Sequence, residues 1–431
     1  MNTVFVNTYT NGILDPAAEM LGPVKPGGRI IAHTAPGCWG PMLTPELKGG
    51  HEVTVPVFVE GAQPGDAVVL TIESITVTSS ASTSGTDCAV DGRFEADPFV
   101  ARKCPDCGLQ SPATELKGVG AEAIVCSQCG AENSPFTMPH GYTMLFSKDR
   151  QVGITVGEDL AQSVAENAHE MLDIPKESVQ NPSAILNSSD LQGVVTRLQP
   201  FLGQLGTTPS VAFPDSHNAG DFGQFLVGAP HDYAKTAEEL DQRTDGHMDI
   251  NKVRAGATLI CPVKVEGAGV YLGDAHAMQS DGEIAGHTTD VAAVTVLRVD
   301  LIKGLNIEGP VLLQVPDDLP FLARPLSLDE FNQAVGILQD SGAELDAVIE
   351  DSLPIAFIGT GANLNDAIDN GMQRAANLLG ICFDEVRNRV TISGGIDIGR
   401  APGTVTVTLR VPAEMIVNEE LAQLVLDKYG Q

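Results

Sequence analysis

The first three hundred residues are dominated by short stretches with the apolar pattern of β-strands. In GRIIAHTA, which begins at Gly28, apolar and polar residues largely alternate, as expected for a half-buried strand. Other stretches are rich in β-branched residues, and the turn sequence Gln63-Pro64-Gly65-Asp66 separates two of them. We predict strands within 28–35, 51–61, 66–80, 257–274 and 292–304.

Helical patterns appear in two other parts of the chain. In residues 159–172, Leu160, Val164, Ala168 and Leu172 recur every four residues, which predicts one amphipathic helix. Nearer the C-terminus, Ser327 followed by Glu330 is typical of a capped helix start. A third helical pattern, 363–380, ends on a glycine, as helices often do. With strands predicted at 353–360 and 404–411, the C-terminal part is expected to be α+β.

These patterns divide the chain into four regions. Residues 1–85 form an N-terminal β region, and residues 136–310 form a second β region that contains the candidate active site. Between them, residues 86–135 are poor in long apolar runs and are interpreted as an insertion. Residues 311–431 form the α+β C-terminal part. A chain of 431 residues is long for a single core, which agrees with several regions.

The predicted insertion contains two CxxC pairs, each followed by glycine. Cys104 and Cys107 form the first pair, and Cys126 and Cys129 form the second. Zinc prefers four tetrahedral ligands, thiolates among them, and two such pairs at this spacing predict a structural zinc ribbon. Redox or disulfide chemistry is the alternative, which the doubled spacing disfavours. A site closed by four thiolates would not be catalytic.

The net charge of the chain limits the classes of partner that it is expected to bind. The formal net charge is −31, from 56 acidic and 25 basic residues. Such a surface repels phosphate backbones, so we expect no nucleic-acid partner, and it offers no attraction to anionic membranes. No targeting or membrane-spanning segment is visible, which predicts a cytoplasmic protein. The acidity also agrees with simple solubility or with a salty environment.

The stretch GDAHAMQSDGE, residues 273–283, concentrates groups that bind metals or carry protons. Asp274 and His276 are two residues apart, so on an extended strand they share a face. Asp281 and Glu283 have the same spacing. Carboxylates and imidazole together suit a divalent cation such as zinc, iron or manganese. The alternative is a polar loop with solvated acids, which a chain so rich in acidic residues also produces.

Two other regions contain candidate site residues. His33 and Trp39, the only tryptophan, lie among small and rigid residues that suggest a shaped wall or a packed turn. His217 and His247 each stand near acidic residues in predicted loops, although surface loops have the same composition. No G-x-S-x-G motif offers a serine nucleophile. Cys38 beside Trp39 is the one cysteine considered as a nucleophile, and it has no clear partner.

GDAHAMQSDGE resembles the GDxHxxQGDGE signature of the acetamidase/formamidase family. The segments GHMDINKVRAGATLICPVKVEGAGVYLGD and VPVFVEGAQPGDAVVLTIESI are similar to two further blocks of that family, and the three occur in family order. Departures from the family pattern occur at Ser280, where glycine is usual, at His247, where asparagine is expected, and at Thr244, where a histidine is common. The cysteine insertion is also outside the family's minimal pattern.

The resemblance implies a β-rich α+β fold with a β-sandwich or barrel core, here with the inserted zinc ribbon. It implies a homodimer or larger homo-oligomer that hydrolyses a small neutral linear amide of the formamide or acetamide type to carboxylate and ammonia. Metal-activated water would be held by Asp274 and His276, with help from His217 or His247. The catalytic set would comprise Gln279, Asp281 and Glu283, the two acids transferring protons.

Substrate contacts are expected from Trp39, His33 and His247. Two alternatives remain at this point. One is a non-catalytic binding or scaffold protein of the same fold, in which the altered segment 244–249 has lost its metal. The other is an amidase for a cyclic or substituted amide. The intact Asp274, His276, Gln279, Asp281 and Glu283 favour the enzyme.

Overall fold

A computed structural model of the chain describes residues 2–37, 51–90, 103–110, 112–134, 136–180, 189–217, 235–236, 238–342 and 349–430. No helix among these residues is long and apolar enough to cross a membrane.

Strands greatly outnumber helices. The strands are β1 Thr3–Val6, β2 Ile13–Leu14, β3 Leu21–Val24, β4 Gly28–Thr34, β5 Val57–Val59, β6 Ala67–Val77, β7 Ala81–Ala89, β8 Thr114–Leu116, β9 Ile124–Cys126, β10 Phe136–Phe146, β11 Val152–Val156, β12 Val195–Arg197, β13 Phe201–Thr207, β14 Phe213–Pro214, β15 Thr258–Pro262, β16 Val270–His276, β17 Ala293–Ile302, β18 Val311–Leu313, β19 Ser352–Thr360, β20 Gly395–Ile398 and β21 Thr404–Pro412. The helices are α1 Glu158–Glu166, α2 Ala168–Leu172, α3 Leu328–Asp340, α4 Leu364–Leu379, α5 Phe383–Ser393 and α6 Glu419–Tyr429.

A nine-stranded sheet runs through the molecule in the order β1-β4-β17-β6-β15-β18-β19-β21-β20. Only β1 and β4 pair in parallel, and the other neighbours are antiparallel. Its strands come from three of the four predicted regions. The chain therefore contributes to one sheet from near its beginning to near its end.

A second sheet, β13-β16-β5-β3, packs against the first half of the large sheet. Strand β6 shows the division of the core, because Val68, Leu70 and Ile72 face this sandwich. Its other face places Ala67 and Val69 in a second core with helices α4 to α6. Alternate residues of one strand thus serve two cores, as the period-two geometry of a strand dictates.

The fold confirms the β-rich expectation and corrects one part of it. Among the described strands no sheet closes into a barrel, because β1 and β20 are the free edges of the large sheet. Most predicted strands form close to their expected limits. In 51–61, however, only β5 is a strand, because Pro56 just before it has no N–H for a ladder bond. Further upstream, the Thr54 N–H donates to the Leu272 carbonyl oxygen at 2.9 Å.

Two predicted helix ends are confirmed. Ser327 caps α3 through a reciprocal arrangement with Glu330, and Gly380 ends α4 in the left-handed conformation. The single helix predicted over 159–172 is wrong, since α1 and α2 meet at Asn167. The Asn167 side chain donates to the Ser163 carbonyl oxygen at 2.9 Å and so competes with helical backbone bonding. Leu160, expected on the buried face, is 54% exposed.

The cysteine pairs lie between two strands that pair with each other. In the sheet β12-β11-β10-β7, strand β7 pairs antiparallel with β10, and their paired register begins at Ala89 and Phe136. The intervening chain, which includes the hairpin β8-β9, therefore leaves the sheet and returns to it. This arrangement agrees with an insertion, while the predicted four-region division stays a prediction.

Candidate functional site

The candidate site forms where β13 and β16 lie side by side. Their antiparallel register pairs Leu202 with Ala275 and Gln204 with Gly273, and it skips Gly203 and Asp274. At this point the backbone of Asp274 has a φ of 51°, so its side chain leaves the regular pattern of the strand. A Cβ on Gly203 would lie 2.5 Å from an Asp249 oxygen and 2.6 Å from an Asp274 oxygen. The absence of a side chain at Gly203 therefore leaves room for both carboxylates.

Segment 245–249 lies along the other side of β13. The Gly203 carbonyl oxygen accepts hydrogen bonds from the N–H groups of Met248 and Asp249, at 2.9 and 3.1 Å, and the Gly246 carbonyl oxygen accepts from Leu205 at 3.0 Å. These bonds bring His247 and Asp249 to the same place as Asp274, although the two parts of the chain are some distance apart in sequence.

A buried ion network holds the start of this segment. Asp245 accepts from Arg243 Nε at 2.6 Å and from Thr360 Oγ1 at 3.3 Å, and it also pairs with Arg374 of α4. Burial opposes ionisation of Asp245, but the charges of Arg243 and Arg374 lower its pKa. The carboxylate is therefore ionised and fixes a backbone that has a φ of 57°.

Three carboxyl residues of the site have left-handed backbones. The φ angles are 50° at Asp249, 51° at Asp274 and 45° at Glu283. Non-glycine residues seldom adopt this region, and bulky ones such as glutamate do so at a cost. Strain of this kind is concentrated at functional sites, where the surrounding structure holds a side chain in one direction. Three such residues in one cluster favour a functional interpretation over a simple polar loop.

Asp274 lies between two histidines. Its Oδ1 is 3.3 Å from His276 Nε2, and its Oδ2 is 3.8 Å from His247 Nε2. His247 Nε2 also lies 2.9 Å from Asp249 Oδ2, while His276 Nε2 lies 2.9 Å from Asp290 Oδ1. All five side chains are buried. Each imidazole nitrogen in the middle of the cluster therefore faces two carboxylates.

The Arg400 guanidinium and the Ser82 hydroxyl hold acidic residues of the cluster in place. Arg400 Nη1 lies 2.8 Å from Glu283 Oε2 and 3.1 Å from Asp249 Oδ2, so one guanidinium orients both carboxyl groups. The Oε1 atom of Glu283 has no hydrogen-bond partner. The Asp290 backbone is fixed from β7, because Ser82 Oγ donates to its carbonyl oxygen at 2.6 Å.

His51 approaches from the opposite end of the chain. Its backbone N–H donates to Asp215 Oδ1 at 2.6 Å, and its Nδ1 lies 2.8 Å from the Gln204 amide nitrogen. The ring meets that of His247 edge to face, with centroids 4.9 Å apart. Because the Gln204 amide nitrogen can only donate, Nδ1 accepts in this contact, and Nε2 carries the proton of the neutral ring.

Burial and charge shift the pKa values in opposite directions within the cluster. Burial opposes ionisation of Asp249, but His247 and Arg400 hold its pKa well below the usual range. Burial would lower the pKa of His276, but Asp274 and Asp290 raise it well above the usual range. Burial and the charge of Asp249 raise the pKa of Glu283 well above its ordinary value, against the effect of Arg400. Within one site, the pKa of Asp249 is therefore lowered and that of Glu283 is raised.

The cluster fits a divalent cation. Both Asp274 oxygens are buried without a hydrogen-bond donor, although two histidine nitrogens lie within 4 Å. Uncompensated buried carboxylates are costly unless a cation or a proton lies between them. Three sets of side chains among the described residues bring their ligand atoms within 4.8 Å of one another, namely His51, His247 and Asp274; Asp249, His276 and Glu283; and Asp274, His276 and Asp290.

Comparison with known proteins assigns the chain to a family. The sequence profile described as Acetamidase/Formamidase family matches residues 39–417, which is most of the chain. The chain belongs to the acetamidase/formamidase family. No curated protein sequence matches it significantly.

Solved structures similar to this family member share its fold. One is a recombinant predicted acetamidase/formamidase from Thermoanaerobacter tengcongensis, with a TM-score of 0.54 and 16% identity over 100% of this chain and 98% of that one. An acetamidase from Yersinia enterocolitica has a TM-score of 0.53 and 16% identity over 97% and 93% of the two chains. For an acetamidase from Bacillus halodurans the values are 0.52 and 16%, over 95% and 97%. At this identity the likeness concerns the fold alone.

This family member also contains a second cluster of metal-binding groups, the four predicted cysteines. Sγ of Cys104 lies 3.6 Å from that of Cys129, and Sγ of Cys107 lies 3.9 Å from that of Cys126. Tetrahedral zinc with Zn–S bonds of about 2.3 Å would place its sulfurs about 3.8 Å apart. The glycine after each pair, Gly108 or Gly130, has a positive φ and donates to the carbonyl oxygen of the first cysteine.

The thiols themselves favour a bound cation. Desolvation raises the pKa of the Cys104 thiol, but hydrogen bonds from the backbone N–H groups of Cys107 and Asp106 outweigh it and lower this pKa to about 7. The Ala131 N–H lowers the pKa of Cys129, but desolvation and the neighbouring thiols together raise it to about 12. Without a cation, the four sulfurs therefore cannot all be thiolates at neutral pH.

The structure brings together some of the predicted site residues and places others elsewhere. Asp274, His276, His247 and Glu283 lie in the cluster. Gln279 lies at its edge, where its amide donates to the Asp249 carbonyl oxygen at 2.8 Å.

Asp281 and His33 lie outside the cluster. Asp281 is exposed and pairs with Lys252 and Asn251, both at 2.9 Å, a position that does not support proton transfer in the cluster. His33 is half-buried and faces Asp173, with Nε2 3.4 Å from Oδ2. Trp39 and Cys38 lie outside the described residues, as does the side chain of His217.

Sequence reasoning missed His51, Asp249, Asp290 and Arg400 as members of the site. Asp249 stands two residues after His247, so its spacing was a usable signal. His51 precedes a strand-like stretch, Asp290 follows two threonines, and Arg400 lies in a turn, which are ordinary contexts. These three are defined only by the tertiary fold.

Proposed function

We propose that this chain hydrolyses the C–N bond of a small neutral linear amide, giving a carboxylate and ammonia. The observation that carries the proposal is the buried Asp274 carboxylate, which lies between His247 and His276 without a hydrogen-bond donor. In a member of the acetamidase/formamidase family, this arrangement supports a metal-assisted amidase.

A divalent cation would be held by Asp274 and His276, with Asp290 as a third ligand. When bound, such an ion polarises the amide carbonyl and lowers the pKa of water. The fixed directions of Asp274 and Asp290 keep these ligands in place, because the first has a strained backbone and the second is tied to β7. A buried site also excludes bulk water, which strengthens every charge interaction within it.

Glu283 is proposed to transfer the protons. Hydrolysis adds water to the carbonyl carbon, breaks the C–N bond and moves a proton to the departing nitrogen, so one group that accepts and donates is sufficient. Arg400 holds Oε2 at 2.8 Å, which leaves Oε1 facing the cluster without a hydrogen bond. The raised pKa of Glu283 matches such a role, since its carboxyl group holds a proton more readily than an exposed carboxyl group does.

The decisive experiment is ammonia release by purified protein from formamide, acetamide and propionamide. We expect release that stops after a chelator removes the ions of the buried cluster and returns when Zn²⁺, Mn²⁺ or Co²⁺ is added. Release that persists in protein shown by elemental analysis to lack these ions would remove the metal from the proposal. If the protein with its ions bound released no ammonia from any of these linear amides, the proposed linear-amide substrate would be rejected.

The four cysteines are proposed to bind one structural zinc. The two sulfur–sulfur distances support this, as do the matching turns after each pair. A four-thiolate site has no open position for a substrate. Zinc per chain, measured by atomic emission, should fall by one in Cys104→Ser.

A homo-oligomer is also proposed. Helix α3 has no buried residue, and Leu328 and Ile337 are 76% and 69% exposed. The family resemblance implies such an assembly, and these exposed apolar side chains are candidates for burial in it. Sedimentation should give a mass above 45.2 kDa, and Leu328→Glu combined with Ile337→Glu should shift it towards the monomer.

A further inference from the structure

An apolar turn, formed by Ala35, Pro36 and Gly37, lies directly against the Asp274 side chain. A Cβ added to Gly37 would clash with the Asp274 carboxylate, so the absence of a side chain allows the backbone to come this close. All three residues of the turn are buried. The apolar turn therefore forms part of the immediate surroundings of the site.

The apolar turn differs in chemical character from other neighbours of Asp274. His276 and His247 lie on two sides of the carboxylate, with nitrogen–oxygen distances of 3.3 and 3.8 Å. An amide substrate has a polar carboxamide group and an apolar acyl group, and apolar surface is stabilised when other apolar surface removes it from water. The histidines suit the carboxamide group, whereas Ala35 and Pro36 suit the acyl group.

Two side chains from other parts of the chain hold the backbone that leads into this turn. The Tyr9 hydroxyl donates to the His33 carbonyl oxygen at 2.7 Å. The Gln180 amide donates to the Pro36 carbonyl oxygen at 2.5 Å, and Gln180 is buried. Because this second bond is made one residue before Gly37, it fixes the part of the turn that touches Asp274.

Glu52, a buried residue, fixes the position of Gln180. Ser178 Oγ donates to Glu52 Oε2 at 2.5 Å, and the Val179 N–H donates to Glu52 Oε1 at 2.9 Å. The Ser178 hydroxyl oxygen also accepts from the Gln180 N–H at 3.2 Å. Loss of the Glu52 carboxyl group would leave these buried donors without their acceptor, which is costly. Glu52 therefore holds the backbone from which Gln180 reaches the apolar turn.

We propose that Glu52 and Gln180 are positioning residues that set the size of the acyl group accepted by the site, because they hold the apolar turn against Asp274. The inference rests on the proposed function, since it takes a small linear amide as the substrate. A turn held in place limits the space beside the acyl carbon. Formyl and acetyl groups then fit, whereas longer acyl groups meet Ala35 or Pro36.

The test compares kcat/KM for acetamide and butyramide, measured by ammonia release from the full-length protein. One methylene in an apolar pocket changes kcat/KM by about 10–200-fold, so the wild type should prefer acetamide by about tenfold or more. Gln180→Ala should raise the ratio of butyramide to acetamide by about tenfold, chiefly through a lower KM for butyramide, because the turn loses its bond at Pro36. Metal bound by the buried cluster, measured by elemental analysis, should be unchanged.

Gln180→Met keeps most of the side-chain volume and removes the hydrogen bond, so it tests the same point if Gln180→Ala does not fold. Glu52→Ala should change the ratio in the same direction. Glu52→Gln should keep the wild-type ratio, because its amide oxygen can still accept from the Val179 N–H. Burial also raises the pKa of Glu52, against the effect of its hydrogen bonds, so a neutral group suits this position.

The matched control is Gln162→Ala. Gln162 lies in α1, and its amide donates to Glu166 of the same helix at 3.1 Å. Its removal should leave the ratio of butyramide to acetamide unchanged. A change of the ratio in this control equal to that in Gln180→Ala would contradict the assignment of the effect to the bond at Pro36.

A wild type that hydrolyses butyramide as well as acetamide would overturn the inference. The same holds if Gln180→Ala, Gln180→Met and Glu52→Ala lower kcat/KM for both amides by one common factor, since that result indicates a general loss of structure. In either case, hydrolysis of acetamide would leave the proposed function intact. A wild type that hydrolyses neither amide would reject the proposed function, and this inference with it.

Discussion

The two clusters of metal-binding groups differ in how the chain assembles them. The four cysteines lie between positions 104 and 129 and are presented by two turns of the same kind. The histidine–carboxylate cluster gathers residues from His51 to Arg400, on strands and loops of separate parts of the fold. A site whose residues are close in sequence can be identified from their spacing. A site whose residues are distant in sequence depends on the arrangement of the whole sheet. The same difference determines how each site should respond to mutation.

The largest effect is expected from Asp274→Asn. An amide cannot supply the charge that holds a cation between two histidines, and Lewis-acid stabilisation amounts to several kcal/mol. We expect kcat to fall by about 10³-fold or more, since each 1.36 kcal/mol is about tenfold. Zinc bound to the cysteines should be unchanged. Equal loss of metal from both clusters would contradict this expectation, because it would show that the two sites fold as one unit.

Asp245→Asn should lower stability by about 3–5 kcal/mol, since it leaves the buried Arg374 without its carboxylate. The pKa of Asp245 is lowered in the folded state, so its contribution is present above the unfolded value of about 3.9 and is lost as pH falls through the folded value. Denaturant unfolding at several pH values checks this. The gap between mutant and wild type should narrow below about pH 4, and a constant gap would contradict the assignment.

Glu283→Gln should lower kcat by about 10²-fold with the ions retained, because the amide cannot transfer protons. Asp281→Asn is the matched control, two positions away and paired with Lys252 at the surface. Its kcat should stay close to that of wild type. A reversed ranking would move the proton transfer to Asp281 and require that loop to rearrange.

Gly203→Ala should reduce kcat/KM by about tenfold or more, because small displacements of catalytic ligands are costly. The added Cβ would push against Asp249 and Asp274. Gly336→Ala is the control, since it lies in α3 with open space around it and should stabilise the helix by about 0.5–1 kcal/mol. Normal turnover in Gly203→Ala would show that the carboxylates of Asp249 and Asp274 can move away from the added Cβ without loss of activity.

The smallest effect on turnover is expected from Cys104→Ser. This change should remove one zinc and lower the melting temperature, while kcat of the folded protein stays within about twofold, because a closed thiolate site takes no part in chemistry. Single-turnover rates normalised to folded protein give the comparison. A larger loss of kcat would mean that the cysteine segment helps to position Asp290 through β7. Ser82 of that strand donates a hydrogen bond to the Asp290 carbonyl oxygen.

Sequence patterns identified features that depend on neighbouring residues and missed those that depend on residues distant in sequence. The alternation in 404–411 and the capping residues Ser327 and Glu330 each specify a strand or a helix end by themselves, and both are confirmed. Asn167 breaks a helix through its own side chain, a choice that apolar spacing does not contain. In the site, Asp274 and His276 share a strand and were predicted together, whereas Asp281 has the same spacing from Glu283 but faces Lys252.

The remaining site residues could not be predicted because their neighbours are distant in sequence. His51 reaches the cluster only when its backbone meets Asp215, and Arg400 only when its turn lies beside Glu283. The register between β13 and β16 decides which residues face one another, and it skips the Gly203–Asp274 position. Periodicity gives the face of each strand and leaves the choice of partner strand open.

The extent of the nine-stranded sheet has a consequence for biosynthesis. The four cysteines of the two CxxC pairs have all been translated by residue 129, so a growing chain can bring them together early. The other cluster includes Arg400, and β21, which lies between β19 and β20 in the sheet, ends at Pro412. Domains fold as they emerge from the ribosome, but this sheet cannot finish until Pro412 has been translated. Assembly of the histidine–carboxylate cluster is therefore a late event, and the four cysteines can meet long before it.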